Sequence, residues 1–237
     1  MTATLRFHSP GMANLDREVH IVIAAYCEDT AVGETVRGLR TRYPKVIVVD
    51  DGSSDRTAAE AMRAGATVLR HVVNRGQGAA LQTGISHALR VGARYIVTFD
   101  ADGQHAVDDI PLLLEPLEAG RCDVVLGSRF LRSARIPLLR KLTLKAGVIF
   151  TRLVSGIRVT DTHNGLRAFT RDAAERIEIR LDRMAHASEL LDQIGRSDLR
   201  WIEVPVEVRY TDYSKKKGQS SLAGFRIAWD FLIGRLK

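Results

Sequence analysis

The 237-residue chain contains no stretch of about 18 or more uninterrupted apolar residues, so no membrane-crossing helix is expected. Cysteine is nearly absent. Cys27 and Cys122 cannot build a disulfide framework, and a reduced, cytoplasmic setting is the simpler reading. The start carries His8, Asp16, Arg17 and Glu18 and no apolar signal region. Aromatics make up only 6% of the chain and do not interleave with its basic residues, which places nucleic acid last among partners. Acidic residues are missing from the whole span Arg129–Arg158, where Lys and Arg recur among aliphatic side chains.

What is present is ordinary for one large globular domain: 45% hydrophobic and 27% charged residues. The net charge of +7 favours anionic partners, either phosphorylated substrates or an anionic lipid surface. Solvated helix faces are the plain alternative for the same charges.

Residues 1–18 lack periodicity and read as a loose lead-in to a domain spanning 19–212. Short Val- and Ile-rich runs follow at His20–Ala25, Val46–Asp50, Thr67–Val73, Tyr95–Asp100 and Asp123–Gly127. Helix-compatible segments separate them at Thr30–Tyr43, Asp55–Ala64, Gly78–Val91 and Val107–Ala119. Ser54 or Asp55 is placed to cap the second, and Pro111 falls in the first turn of the fourth. Such alternation predicts an α/β fold with a mainly parallel sheet flanked by helices, and ligands beyond the carboxyl ends of its strands.

The second half differs. Ile136–Val154 reads as one or two basic amphipathic helices, followed by a polar turn at Asp161–Gly165 and a strand-like Leu166–Phe169. A helix is expected around Ala187–Ile194 and a half-exposed strand over Trp201–Tyr210. Residues 213–237 read as a basic loop with Lys217, then a C-terminal amphipathic helix.

The sharpest motif is Asp100-Ala101-Asp102 at a predicted strand end. Two carboxylates one residue apart can approach a hard cation such as Mg²⁺ or Mn²⁺, which bridges protein oxygens to substrate phosphates. Alone, a polar turn explains the pattern better. Asp50-Asp51-Gly52-Ser53-Ser54-Asp55 adds carboxylates and hydroxyls after another strand, with Asp51 suited to accept hydrogen bonds from a nucleoside. Asn74-Arg75-Gly76-Gln77-Gly78 forms a glycine-rich turn whose amides can face a phosphate.

Together with Ala24-Ala25-Tyr26-Cys27-Glu28, Gly127-Ser128-Arg129 and Asp161-Thr162-His163-Asn164-Gly165-Leu166-Arg167, these motifs resemble, in order, those of family 2 glycosyltransferases. The branch most similar makes polyprenyl-phosphate hexoses and includes dolichyl-phosphate mannosyltransferases. The resemblance runs from about Val19 to Leu222 and implies a GT-A, Rossmann-like single domain that transfers a hexose with inversion. It would place Ala24, Tyr26, Glu28 and Asp51, with Asp100 and Ala101, on the nucleotide-sugar. Asp100, Asp102 and Gln104 would hold the metal and diphosphate, and Arg129 and Lys217 would meet the acceptor phosphate. Asp161, Arg167 and Glu189 complete the catalytic set, Glu189 as general base only if the acceptor is a hydroxyl. Arg167 either binds phosphate or pairs with Asp161, and His105 sits behind the metal ligands. His163 and His186 read as structural or exposed. The family usually has Pro and Asn where this chain has Ala24 and Cys27, which bears on donor base specificity.

The expected reaction moves a hexose from a UDP- or GDP-sugar to polyprenyl phosphate, at the inner membrane face, by peripheral attachment or through a small membrane-embedded partner. A hydroxyl or other glycan acceptor in cell-envelope polysaccharide assembly is one alternative. A non-catalytic nucleotide- or NAD-binding module is another.

Overall fold

A computed structural model describes residues 16–132, 148, 156–181 and 186–209. The expected basic helices of 136–154, apart from residue 148, the loop with Lys217 and the helix of 222–236 lie outside the described residues.

Seven strands form one sheet: β1 (Val19–Ala25), β2 (Lys45–Asp50), β3 (Thr67–Arg70), β4 (Tyr95–Asp100), β5 (Val124–Ser128), β6 (Arg167–Thr170) and β7 (Trp201–Pro205). Their spatial order is β3-β2-β1-β4-β6-β5-β7. The β1–β2, β2–β3, β1–β4 and β5–β7 pairs are parallel, and β6 runs antiparallel between β4 and β5. This mixed but mostly parallel sheet, flanked by helices, is the single-domain GT-A architecture.

The helices are α1 (Val32–Arg40), α2 (Thr57–Arg63), α3 (Gln77–Arg90), α4 (Ile110–Glu118), α5 (Arg171–Arg176) and α6 (His186–Arg196). Alternation along β1 divides the core. Val19, Ile21 and Ile23 pack with Val36 and Leu39 of α1, Ala61 of α2 and Leu113 of α4. Val22, on the opposite face, packs with Leu81 and Ile85 of α3, Ala173 of α5 and Leu190 of α6. Each sheet face is covered, as continuous apolar strands require.

Several boundaries differ from expectation. β3 stops at Arg70 rather than Val73, because His71 turns in to Asp51 while Val72 and Val73 are exposed. β7 ends at Pro205, although the Val206 amide still donates to the Ser128 carbonyl at 3.1 Å; Val208 then makes an isolated antiparallel bridge to His105. α2 begins at Thr57 with Arg56 at its cap position. Asp55 instead accepts the Thr57 amide and hydroxyl, at 2.9 and 2.5 Å. Pro111 does lie in the first turn of α4. The short α5, capped by Thr170, was absent from the sequence reading.

The order matters for function. The chain leaves β1 toward β2 and β3, then crosses back to lay β4 on the other side of β1. A crevice opens at the carboxyl ends of β1 and β4 in such a switch. Ala24 is in register with Asp100 there, and Ala25 with Asp50.

Candidate active site

Three loops are stitched together at this edge. The Cys27 amide donates to Ser53 Oγ (2.9 Å) and the Glu28 amide to Thr57 Oγ1 (2.8 Å), tying the loop after β1 to the loop after β2. Tyr26 is 48% exposed beside them, and Ala24 and Glu28 are half-buried. Cys27 has φ of 52°, the only left-handed non-glycine among the described residues.

Asp51 is buried and already engaged. Its Oδ1 accepts the Arg75 amide (2.9 Å) and lies 2.7 Å from His71 Nδ1; its Oδ2 accepts the Gly76 amide (2.6 Å). The amides of the glycine-rich turn therefore grip an internal carboxylate, where the sequence suggested a ligand phosphate. A nucleoside meeting Asp51 would share a side chain whose main partners are protein.

Asp100 ends β4. Its Oδ2 is 2.8 Å from His105 Nε2, and Gln77 Nε2 approaches its Oδ1 at 3.4 Å. His105 is buried, with Nε2 turned to this carboxylate and no partner for Nδ1 among the described residues. Burial opposes ionisation of Asp100, but the charge and hydrogen bond of His105, with Arg167 and His186 beyond, hold its carboxyl below the usual carboxylate range. Asp102 is shifted the other way, by burial first and then by the neighbouring Asp100 charge, with a smaller push from Glu28. Its Oδ1 accepts the Gln104 amide at 3.1 Å. Ala101 is buried between the two, its carbonyl accepting Thr35 Oγ1 at 3.0 Å.

The Asp100 charge disfavours that of Asp102 at this half-buried strand end. A divalent cation relieves that repulsion, and the hard oxygens of Asp100, Asp102 and the Gln104 side chain suit Mg²⁺ or Mn²⁺. Among the described residues no trio of His, Cys, Asp and Glu is grouped to hold a metal, so bound substrate oxygens would have to complete the shell.

A second charged layer lies beside the first. Arg129 and Asp161 form an ion pair at 2.6 Å, with side-chain exposures of 6% and 0%. Asp161 Oδ2 also accepts the Arg129 amide at 3.2 Å. Asp161 thus pairs with Arg129 through a direct bond, and Arg167 lies within the fields of both Asp161 and Asp100. Burial lowers the Arg167 pKa to about 10 against the opposing pull of those two carboxylates.

Glu189 is engaged by backbone amides. Its oxygens accept the Arg180 amide (3.1 Å to each) and the Leu181 amide (2.8 Å), pinning the loop before α6. Burial nevertheless raises its pKa. His186 is buried, as a structural residue would be, and its charge is the smallest of those that favour the Asp100 carboxylate. His163 is half-buried, its pKa lowered chiefly by burial. Sequence reasoning also missed His71 and Glu203, and it named Gln77 only as part of the glycine-rich turn, without its approach to Asp100. No local motif marks His71 or Glu203, and only the folded register brings them here.

The family model described as glycosyl transferase family 2 matches residues 20–178. The chain is 32% identical to the UDP-N-acetylglucosamine–dolichyl-phosphate N-acetylglucosaminyltransferase of Methanococcus voltae, covering 92% of this chain and 96% of that protein. It is 31% identical to an undecaprenyl-phosphate mannosyltransferase of Micrococcus luteus, covering 86% of each. The fold matches glucosyl-3-phosphoglycerate synthase from Mycobacterium tuberculosis, solved with Mn²⁺ and UDP-glucose, with a TM-score of 0.68 at 20% identity over 94% of this chain and 80% of that one.

Proposed function

This chain belongs to glycosyl transferase family 2, and from that premise we propose that it transfers a hexose, with inversion, from a nucleotide-diphosphate sugar to polyprenyl phosphate. The observation that carries the reading is the Asp100–Asp102 pair at the sheet's switch point, beside the loops after β1 and β2. Relatives named for dolichyl- and undecaprenyl-phosphate transfer support the acceptor class.

Ala24, Tyr26 and Glu28 line the nucleoside end, with Asp51 behind them. Asp100, Asp102 and Gln104 hold Mg²⁺ or Mn²⁺, which supplies charge neutralisation for the departing nucleoside diphosphate. His105 fixes the Asp100 carboxylate in place, and Arg129, oriented by Asp161, and Arg167 offer guanidinium donors to the incoming phosphate. A phosphate acceptor is already an anion and needs no base. That agrees with Glu189 spending its oxygens on loop amides.

The raised pKa of Glu189 favours the second reading, a hydroxyl acceptor deprotonated by that carboxylate. It requires Glu189 to release Arg180 and Leu181, and a Glu189→Gln variant with an undiminished single-turnover rate would count against it. Attachment to the membrane surface through the basic span 129–158 and Lys217, directly or by a partner protein, belongs to the same proposal. Among the described residues no helix is long and apolar enough to cross a membrane.

Calorimetry with UDP- and GDP-sugars, with and without Mn²⁺, followed by product analysis on polyprenyl phosphate, tests the proposal. Metal-dependent binding and transfer, both lost in Asp102→Ala, are expected. Binding of NAD that ignores metal would point to a non-catalytic module instead.

A further inference from the structure

Glu203 lies on β7, in register with Leu126 of β5, the strand that leads into Arg129. The half-buried carboxylate points to the turn before Asp161. It accepts the Thr160 amide at 2.9 and 2.8 Å, the Thr160 hydroxyl at 2.9 Å and the Asp161 amide at 3.2 Å. Thr160 Oγ1 is in turn 2.6 Å from Ser128 Oγ, which accepts the Phe130 amide at 3.2 Å. One side chain therefore braces the residues on both sides of the Arg129–Asp161 pair.

We propose that Glu203 is a positioning residue, fixing the Asp161–Arg129 ion pair in the orientation that receives the acceptor phosphate. Thr160 and Asp161 lie outside the strands, and Glu203 supplies the hydrogen bonds to both their amides. Asp161 Oδ2 holds Arg129 by its side chain and its amide, and Oδ1 takes the His163 amide at 3.3 Å. A shift of the Asp161 backbone is carried directly to the guanidinium. The guanidinium is tied to Asp161 through its Nε, so it follows that carboxylate, and separating the buried pair would be costly. The inference rests on the acceptor-phosphate reading of Arg129 given above. It assigns the acceptor half a support that comes from a different strand.

The test uses the full chain with Glu203→Ala and Glu203→Gln. Transfer is measured with Mn²⁺ and the donor identified by calorimetry, against polyprenyl phosphate in detergent. Donor affinity should stay unchanged, while the acceptor KM rises about tenfold or more in Glu203→Ala, the scale of a small misplacement. Glu203→Gln keeps one accepting oxygen and should fall between. In an Arg129→Ala background, Glu203→Ala should add nothing further to the acceptor KM. An unchanged acceptor KM, an additive effect in that background, or donor and acceptor parameters declining together would overturn the proposal.

Absence of transfer to polyprenyl phosphate by the unaltered protein would instead defeat the proposed function. Amide exchange then judges the clamp. Lost protection at Thr160 and Asp161 that spreads to Arg129 and His163 upholds it, and loss confined to the first two refutes it.

Discussion

At Gly165 an added methyl group would overlap both carboxylate oxygens of Asp100. Its carbonyl is held by Thr98 Oγ1 at 2.7 Å, so the backbone has little room to retreat. Gly165→Ala should therefore push Asp100 from His105 and weaken metal-dependent donor binding about tenfold or more, since a displaced ligand loses the aligned geometry. Calorimetry with Mn²⁺ checks this beside a circular-dichroism spectrum that should remain folded. Unchanged donor affinity would mean the loop moves instead. Cys27 gives a prediction of the opposite sign. A left-handed backbone is disfavoured for most side chains and better tolerated by Asn. Cys27→Asn should raise stability by about 0.5–1 kcal/mol, read from the denaturant midpoint at constant slope. The candidate ligands Asp100 and Asp102 were legible in sequence because a short pattern at a strand end carries its own chemistry. Glu203, His71 and the contact of Gln77 with Asp100 were not. Their roles come from neighbours 20 or more positions away, as with Gln77 and Asp100, separated by 23 residues, and no local pattern encodes that.

Among the elements, the glycine-rich turn shows how a correct local reading can miss its partner. Asn74–Gly78 does lead from a strand to a helix, as its glycines suggested. The anion its amides bind is nonetheless Asp51 of this same chain. Asp51→Asn would set an amide NH₂ against backbone donors and remove the charge that faces His71. Leaving buried donors unpaired costs roughly 1–3 kcal/mol each, so a loss of about 2–4 kcal/mol is expected. Urea unfolding and amide exchange at Gly76 measure it. If Asp51 serves the nucleoside alone, donor affinity will fall while stability and exchange stay as they were. Strand existence was readable throughout from Val- and Ile-rich runs. Ends were less so, because a side chain turning inward, as His71 does to Asp51, decides where pairing stops. The six-residue α5 is too short to show a helical period and depends on its Thr170 cap, whose hydroxyl accepts the Ala173 amide at 3.2 Å.

For the molecule as a whole, the mainly parallel sheet followed from strand–helix alternation, but the antiparallel β6 between β4 and β5 did not. Periodicity identifies a strand without naming its neighbours. The assembled sheet also creates a pH liability that no single element would have. His20 on β1 is 3% exposed, and its Nδ1 has no partner. Burial, reinforced by the charge of Lys45 and by His87 and only partly offset by the Glu18 backbone, lowers its pKa from 6.5 to about 4. The folded chain thus keeps His20 neutral where the unfolded chain takes up a proton. Stability is full above the unfolded value of 6.5 and falls as pH drops toward about 4, where the loss levels off near 3 kcal/mol. Asp55 and Asp123, whose carboxyls are held down, contribute their own loss only from the region of 3.8 and below. Glu189 and Glu203, raised by burial, act in the reverse sense, costing stability as pH climbs from 4.5 through their folded values. A His20→Leu variant isolates the histidine, because the carboxylates are common to both proteins. Urea midpoints between pH 4 and 7 should show the unaltered chain losing ground to the variant as pH falls. Parallel curves would mean that His20 gains a proton partner in the folded state and carries no such penalty.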